Sequence, residues 1–367
     1  MMTTIYSPDP LRTQVEKQSH GQRTIIYSPK GQPNYVFIVP QFDLQEISSS
    51  LGTGIHPAFI INERPIDAFF YACYSASLRD GELISQPNQP PACNLNLAQF
   101  QSLAQQSGKG CHISTNAEWS AISALANQYN NLIHGNTDYG RNYFNHDEFI
   151  PRIDGLATGD LQGTPTTPTN AQWESWYHNH QLSGISDLVG NLWEWQTGVR
   201  LVAGEIQIIK NSDAAIHLDD ALLDWRAIDM SSGELIPPNS PSSAKYDSPI
   251  AKLDGNAGTP IISAQIHHFN GDPTDSGYPQ GLLDSPFRLV GTTEGEQIPT
   301  LLKILGLAPY KVKQSDDQIY LRNYGERALM RGGAWYSQHS AGIDAFCLSH
   351  TRLHKSTTVG ARTAWVL

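Results

Sequence analysis

Cations are scarce in this chain. Its 367 residues hold 24 Lys and Arg against 35 Asp and Glu, a formal charge of −11 at pH 7. The clustered positive charge that a nucleic-acid groove or an anionic membrane surface demands is therefore missing. No apolar run is long enough to span a bilayer, and Met1–Leu11 lacks the basic start and apolar centre of a secretory signal. The expectation is a soluble protein made in the cytoplasm, with no membrane insertion, which leaves the cell, if at all, by lysis or displayed on a particle or cell surface. The four cysteines, Cys73, Cys93, Cys111 and Cys347, are too few and too scattered for a disulfide framework or a thiolate zinc site. Reduced, partly buried thiols follow.

Charged residues make up only 16%, whereas Gly, Pro, Asn, Gln, Ser and Thr abound and all eight tryptophans lie from Trp119 onward. Such composition predicts a loop-rich β or α+β fold, not a helical bundle. Residues 1–50 read as an N-terminal accessory β segment, with β-prone runs at 24–27 and 34–39. Residues 51–367 read as the main domain. Within it, Leu97, Phe100, Leu103 and Ala104 form a helical stripe. Thr115-Asn116-Ala117-Glu118 is a capping box opening a second helix, with Trp119, Ile122, Leu125 and Ala126 on its buried face. Residues 139–170 are too rich in breakers for a core element. Gly204–Ile209 alternates like a strand, an insertion falls near 211–260, residues 299–307 offer a short helix, and 331–367 returns to strands and tight turns.

The stretch Gly184-Ile185-Ser186-Asp187-Leu188-Val189-Gly190-Asn191-Leu192-Trp193-Glu194-Trp195 concentrates chemistry. Gly190-Asn191 permits positive φ and can aim carbonyls at one point between Asp187 and Glu194. That suits a hard cation such as Ca²⁺. It equally suits a turn whose tryptophans fill core and whose Glu194 holds a buried backbone group. His178-Asn179-His180 has metal-like spacing but no third ligand, and reads as an exposed loop pair. Its letters also resemble a nuclease motif, without the fold and basic surface such an enzyme needs. His267-His268 reads as ordinary surface, and no nucleophile triad is supported.

Three pieces occur in a telling order: Ser114–Trp119, then Gly184–Trp195, then Arg331-Gly332-Gly333-Ala334-Trp335 with Arg352 and a terminal Gly360-Ala361-Arg362. Together they resemble the formylglycine-generating-enzyme family over about residues 55–367. The resemblance implies an α+β, C-type lectin fold of that subtype with much irregular structure. It also implies a structural Ca²⁺ held by Asp187, Gly190, Leu192 and Glu194. The family's oxidases bind copper through two cysteines, and here Ser337 and Gly342 stand at those positions, so no soft ligand or redox nucleophile is present. The histidine-rich iron domain of the sulfoxide-synthase relatives is also missing.

Between the anchors Arg331-Gly332-Gly333 and Gly360-Ala361-Arg362 lies a segment of mixed chemistry without amphipathic period. The whole arrangement looks like the variable proteins of diversity-generating retroelements, in phages and prophages among others, with Ala361 where phenylalanine is common. That resemblance implies a non-catalytic, receptor-recognising protein with a C-terminal variable region over 331–367. Its contact residues would be Ala334, Trp335, Tyr336, Ser337, Gln338, His339, Asp344, Phe346, His350, Leu353, His354 and Lys355, because Tyr, His, Ser and Phe together supply contact area and hydrogen bonds. The expected ligand is another protein. The alternatives are an enzyme of the same fold with non-copper chemistry, or a structural phage particle component.

Overall fold

The computed structural model describes residues 8–129, 131–216, 223–251, 256–269, 281–311 and 315–367. A nine-residue helix, α1 (Pro10–Gln18), starts on a capping aspartate, Asp9, with proline at its first position. It leads into β1 (Arg23–Tyr27) and β2 (Pro33–Pro40), joined by a turn in which Gly31 takes φ +78°. Strand β3 (Ala68–Ala72) pairs antiparallel with β2.

Both predicted helices form: α2 (Leu97–Gln106) and, after β4 (Cys111–Ile113), α3 (Asn116–Ala126). The Thr115 hydroxyl accepts from the Glu118 amide at 3.1 Å, and the Glu118 carboxylate accepts from the Thr115 amide at 2.8 Å, so two orphan donors are satisfied reciprocally. The other oxygen of Glu118 meets His112 Nε2 at 2.9 Å, both side chains being buried.

The larger sheet begins with β5 (Trp193–Val202), β6 (Glu205–Ile209), β7 (Trp225–Ile228), β8 (Lys245–Asp247), β9 (Ile261–Ser263) and β10 (Leu283–Pro286). A short helix, α4 (Thr300–Ile304), follows where one is expected. Then come β11 (Gln318–Leu321), β12 (Glu326–Gly332), β13 (Gly342–His350), β14 (Val359–Ala361) and β15 (Thr363–Trp365). One sheet runs β1-β2-β3-β15-β4; in the other, of twelve strands, the path runs β10-β11-β13-β12-β5-β6-β8-β9 to a two-residue strand, with β7 on β6 and β14 on β5. Most pairs are antiparallel, but β11·β13, β14·β5 and the pairing of β9 with the two-residue strand Gly291–Thr292 are parallel. The protein is thus mostly β, a mixed sheet with a few short helices.

The N-terminal strands do not stand apart from residues 51–367. Strand β2 is bonded along five residue pairs to β3, and β3 in turn to the C-terminal β15. Arg23, buried, donates to the Gly184 carbonyl. The 211–260 region, whose residues 217–222 and 252–255 lie outside the described residues, extends the large sheet through β7 and β8. The two main apolar clusters meet around β5, β12 and β13: one holds Trp119, Leu188 and Phe346, the other Trp193, Trp195 and Trp365.

Candidate recognition face

The frame comes first. Strand β14 lies parallel to the start of β5 with Gly360 opposite Glu194, which brings Arg362 onto Glu194. A Cβ at Gly360 would come within 2.8 Å of the Ala92 carbonyl, so glycine here lets the Ala92 loop lie close against the strand. Arg362 Nε donates to Glu194 Oε2 at 2.9 Å and Nη2 to Oε1 at 2.7 Å. Its remaining bonds go to the carbonyls of Ala72, Ser186 and Asp187 and to Ser75 Oγ. Burial acts to lower the Arg362 pKa, but the Glu194 carboxylate outweighs it and the net shift is upward.

Of the expected Ca²⁺ ligands, the two carboxylates, Asp187 and Glu194, are already engaged by protein groups. Both Glu194 oxygens are engaged by a buried guanidinium, and Oε1 also accepts from Ser75 at 2.7 Å. Asp187, at φ +58°, accepts from the Asn170 amide and the Ser186 hydroxyl; burial pushes its pKa up, which disfavours the ionised form a cation needs. Gly190 gives its amide to the Gly332 carbonyl, and a Cβ there would lie 2.2 Å from Asn136 O. Leu192 packs its side chain against Gly360. Among the described residues no group of three or more His, Cys, Asp or Glu could hold a metal. The tryptophans fill core, as the alternative reading of this stretch has it, but Glu194 holds Arg362 where that reading has a backbone group.

Arg331 forms the second anchor. It is 1% exposed, and its guanidinium donates to Asn116 Oδ1 and to the carbonyls of Leu305 and Gly306, 5.1 Å from the Phe346 ring centre. Burial lowers its pKa to about 10. Gly332 and Gly333 both take φ above +90°; a Cβ on Gly332 would lie 2.5 Å from the Leu188 carbonyl. The turn that follows is tied by backbone bonds: Trp335 N to Asn191 O, Tyr139 N to Trp335 O, and Gln338 N to Thr137 O.

On this frame the expected contact residues divide. Tyr336 (43% exposed), His339, Leu353 (70%) and Lys355 are exposed, and Trp335, Gln338, His350 and His354 are partly so. The His350 and His354 rings stack 4.0 Å apart. Ala334, Ser337, Asp344 and Phe346 are interior, which corrects their assignment as contacts. Ser337 Oγ accepts from the Ala334 amide and closes the turn. Asp344 accepts from Ser123 Oγ at 2.6 Å and from Asn127. Phe346 packs on Tyr246 and Phe287. Strand β13 carries neighbours on both edges and cover on both faces, so its mixed side chains are mutually satisfied core.

Histidine placement differs too. His178 is buried, its ring edge-on to Phe37 and its Nδ1 accepting from the Ile185 amide at 2.8 Å, so it is no exposed loop residue. His267 Nδ1 lies 2.6 Å from the buried carboxylate of Asp247.

The neighbouring aromatics went unread. The Tyr139 ring lies 5.3 Å from Trp335, and Tyr143 lies 5.8 Å from His339 and 5.3 Å from Phe144. Tyr143, Phe144 and His339, with Tyr129 and Leu132, line an open groove of about 580 Å³. The available signal was four Tyr and Phe between 139 and 149 with neither helical nor strand period.

No family model matches the chain, and no curated protein does. Among the solved structures that align with it are the Major Tropism Determinant U1 variant, at 12% identity and TM-score 0.31 over 90% of this chain and 63% of that one, and the I1 variant, at 11% and 0.32 over 94% and 71%. The chain thus spans less than two thirds of the first. Both likenesses are too distant to carry a functional argument.

Proposed function

We propose that this chain is a non-catalytic recognition protein, a C-type lectin-like scaffold of the diversity-generating-retroelement variable type that presents its C-terminal turns to a protein ligand. One observation carries the reading: between Arg331 and Arg362 the anchors are buried and hydrogen-bonded through side chains, whereas Tyr336, His339, Leu353 and Lys355 are exposed on turns. The turn bearing Tyr336 and His339 is tied to its neighbours by backbone bonds that no substitution other than proline removes. His339, Leu353 and Lys355 can change at little cost to the fold, surface substitutions of this kind staying within about 0.5 kcal/mol, and at Tyr336 the cost is confined to its packing on Trp335 and its hydroxyl bonds with Trp193 and Thr358.

Replacing these four together tests the reading. Thermal stability should hold while binding to a ligand selected on the parent is lost. Unfolding of the variant would overturn the proposal. In the genome of origin, a reverse transcriptase beside a near-copy of the last coding stretch, differing mainly at adenines, is the matching observation.

A further inference from the structure

The loop between residues 131 and 170 is built inside out. Its interior is polar: Arg152, 5% exposed, donates to the carbonyls of Ala157, Asp160 and Gln162 and pairs with Asp154. Asn136 and Asn142, each 1% exposed, bond to Pro165 O, Asn191 Oδ1 and neighbouring amides. Its outward side chains include large apolar ones, Phe144 at 58% and Leu161 at 70% exposed, beside polar ones such as Asn145 and Asp147. Apolar area left in water forgoes about 25 cal/mol per Å². Side-chain bonds fix this loop, so it holds those groups out and cannot relax to bury them. Rigid presentation of aromatics is how recognition surfaces limit the entropy of binding.

Charge selects the occupant. The groove's own lining carries Asp316 and Asp317 against Lys311, whose ammonium donates to the Asn127 carbonyl, and residues 131–183 beside it contain six acids and two arginines, −4 of the chain's −11. Both arginines are engaged, Arg141 by Asp138 and Arg152 by Asp154, while Asp147 and Glu174 are exposed. A second copy would set −4 against −4, and an anionic bilayer would be repelled in the same way. Aromatic faces in a negative field favour cations.

Resting on the recognition reading above, we infer that the groove of Tyr129, Leu132, Tyr143, Phe144 and His339 is the contact site for a protein segment carrying lysine or arginine beside an apolar side chain. The 131–170 loop is then half of one face whose other half is the 335–339 turn, which Thr137 and Tyr139 already join to it by backbone bonds.

The test pans random twelve-residue peptides on the folded protein and measures selected peptides against variants, checking each variant's melting temperature. Selected peptides should be net positive. Their binding should weaken about tenfold in Tyr143→Ser/Phe144→Ser, a hot-spot loss of about 1.4 kcal/mol, and should fall with added salt and in Asp147→Asn/Glu174→Gln. Neutral or acidic peptides, an absence of enrichment, or a dimer abolished by Tyr143→Ser/Phe144→Ser would each overturn the inference. Loss only in Tyr336→Ser/Leu353→Ser would overturn it while leaving the recognition reading intact. Loss in neither pair would overturn both.

Discussion

Arg362 and Glu194 form a bidentate pair, 2.9 and 2.7 Å, with side chains 0% and 2% exposed and 168 residues apart in sequence. It joins the last turn of the chain to the start of β5. Removing one partner strands the other charge in the interior, so Arg362→Met or Glu194→Gln should each cost about 3–5 kcal/mol in urea unfolding. Replacing both should recover only part of that, because the carbonyls of Ala72, Ser186 and Asp187 also lose their donor. A double-mutant cycle with coupling below about 0.5 kcal/mol would show the pair to be incidental.

The same guanidinium governs the response to metal. Arg362 already supplies positive charge to Glu194, Ser75 and three carbonyls, so a divalent ion there would face like-charge repulsion. The melting temperature should be the same in chelator and in millimolar Ca²⁺. A ligand that binds only the native state would raise it, and a rise of several degrees in Ca²⁺ would contradict the account of Glu194 as a counter-ion.

What the sequence revealed was local. The capping box at Thr115 and Glu118 is visible because both partners lie three residues apart, and it forms as read. The anchors Arg331 and Arg362 stand out by motif, though their partners Asn116 and Glu194 lie 215 and 168 residues away. Strand β13 misled because a strand enclosed on both faces has no alternation to read. Asp344 looks like a surface residue until Ser123 and Asn127 are seen to satisfy it. The N-terminal strands join their sheet through Ala68–Ala72, whose other neighbour, Thr363–Trp365, comes from far along the chain.

Gly332 carries a sharper prediction than glycines in general. At φ +93° with the Leu188 carbonyl 2.5 Å from a Cβ position, Gly332→Ala meets both backbone strain and a backbone clash. Gly295, at φ +89°, has nothing within 4 Å. Gly295→Ala should therefore cost about 1 kcal/mol and Gly332→Ala several times that. Equal losses in equilibrium unfolding would mean that the Leu188 segment gives way freely.

Acid should weaken the fold well before carboxylates titrate. His56 and His178, 1% and 4% exposed, each have a pKa lowered to about 3 by burial. In each, Nδ1 accepts a backbone amide, from Ala58 and Ile185, so a proton there would displace that bond. The unfolded chain takes up protons at these sites below pH 6.5 and the native one does not until about 3. Their stabilisation is present above 6.5 and declines below it by about 1.4 kcal/mol per pH unit for each histidine. His112 has the opposite sign: burial opposes its charge, Glu118 more than compensates, and its raised pKa gives stability that is complete below 6.5 and lost as pH rises through the raised value. Asp187, raised by burial, takes up its proton at a higher pH in the native chain than in the unfolded one, which opposes the histidine slope. The net expectation is lower stability at pH 5 than at pH 7. His178→Gln keeps an acceptor for Ile185 without a titrating group, and should flatten the slope by about one proton in urea titrations across that range. An unchanged slope would mean that His178 binds its proton in the native state.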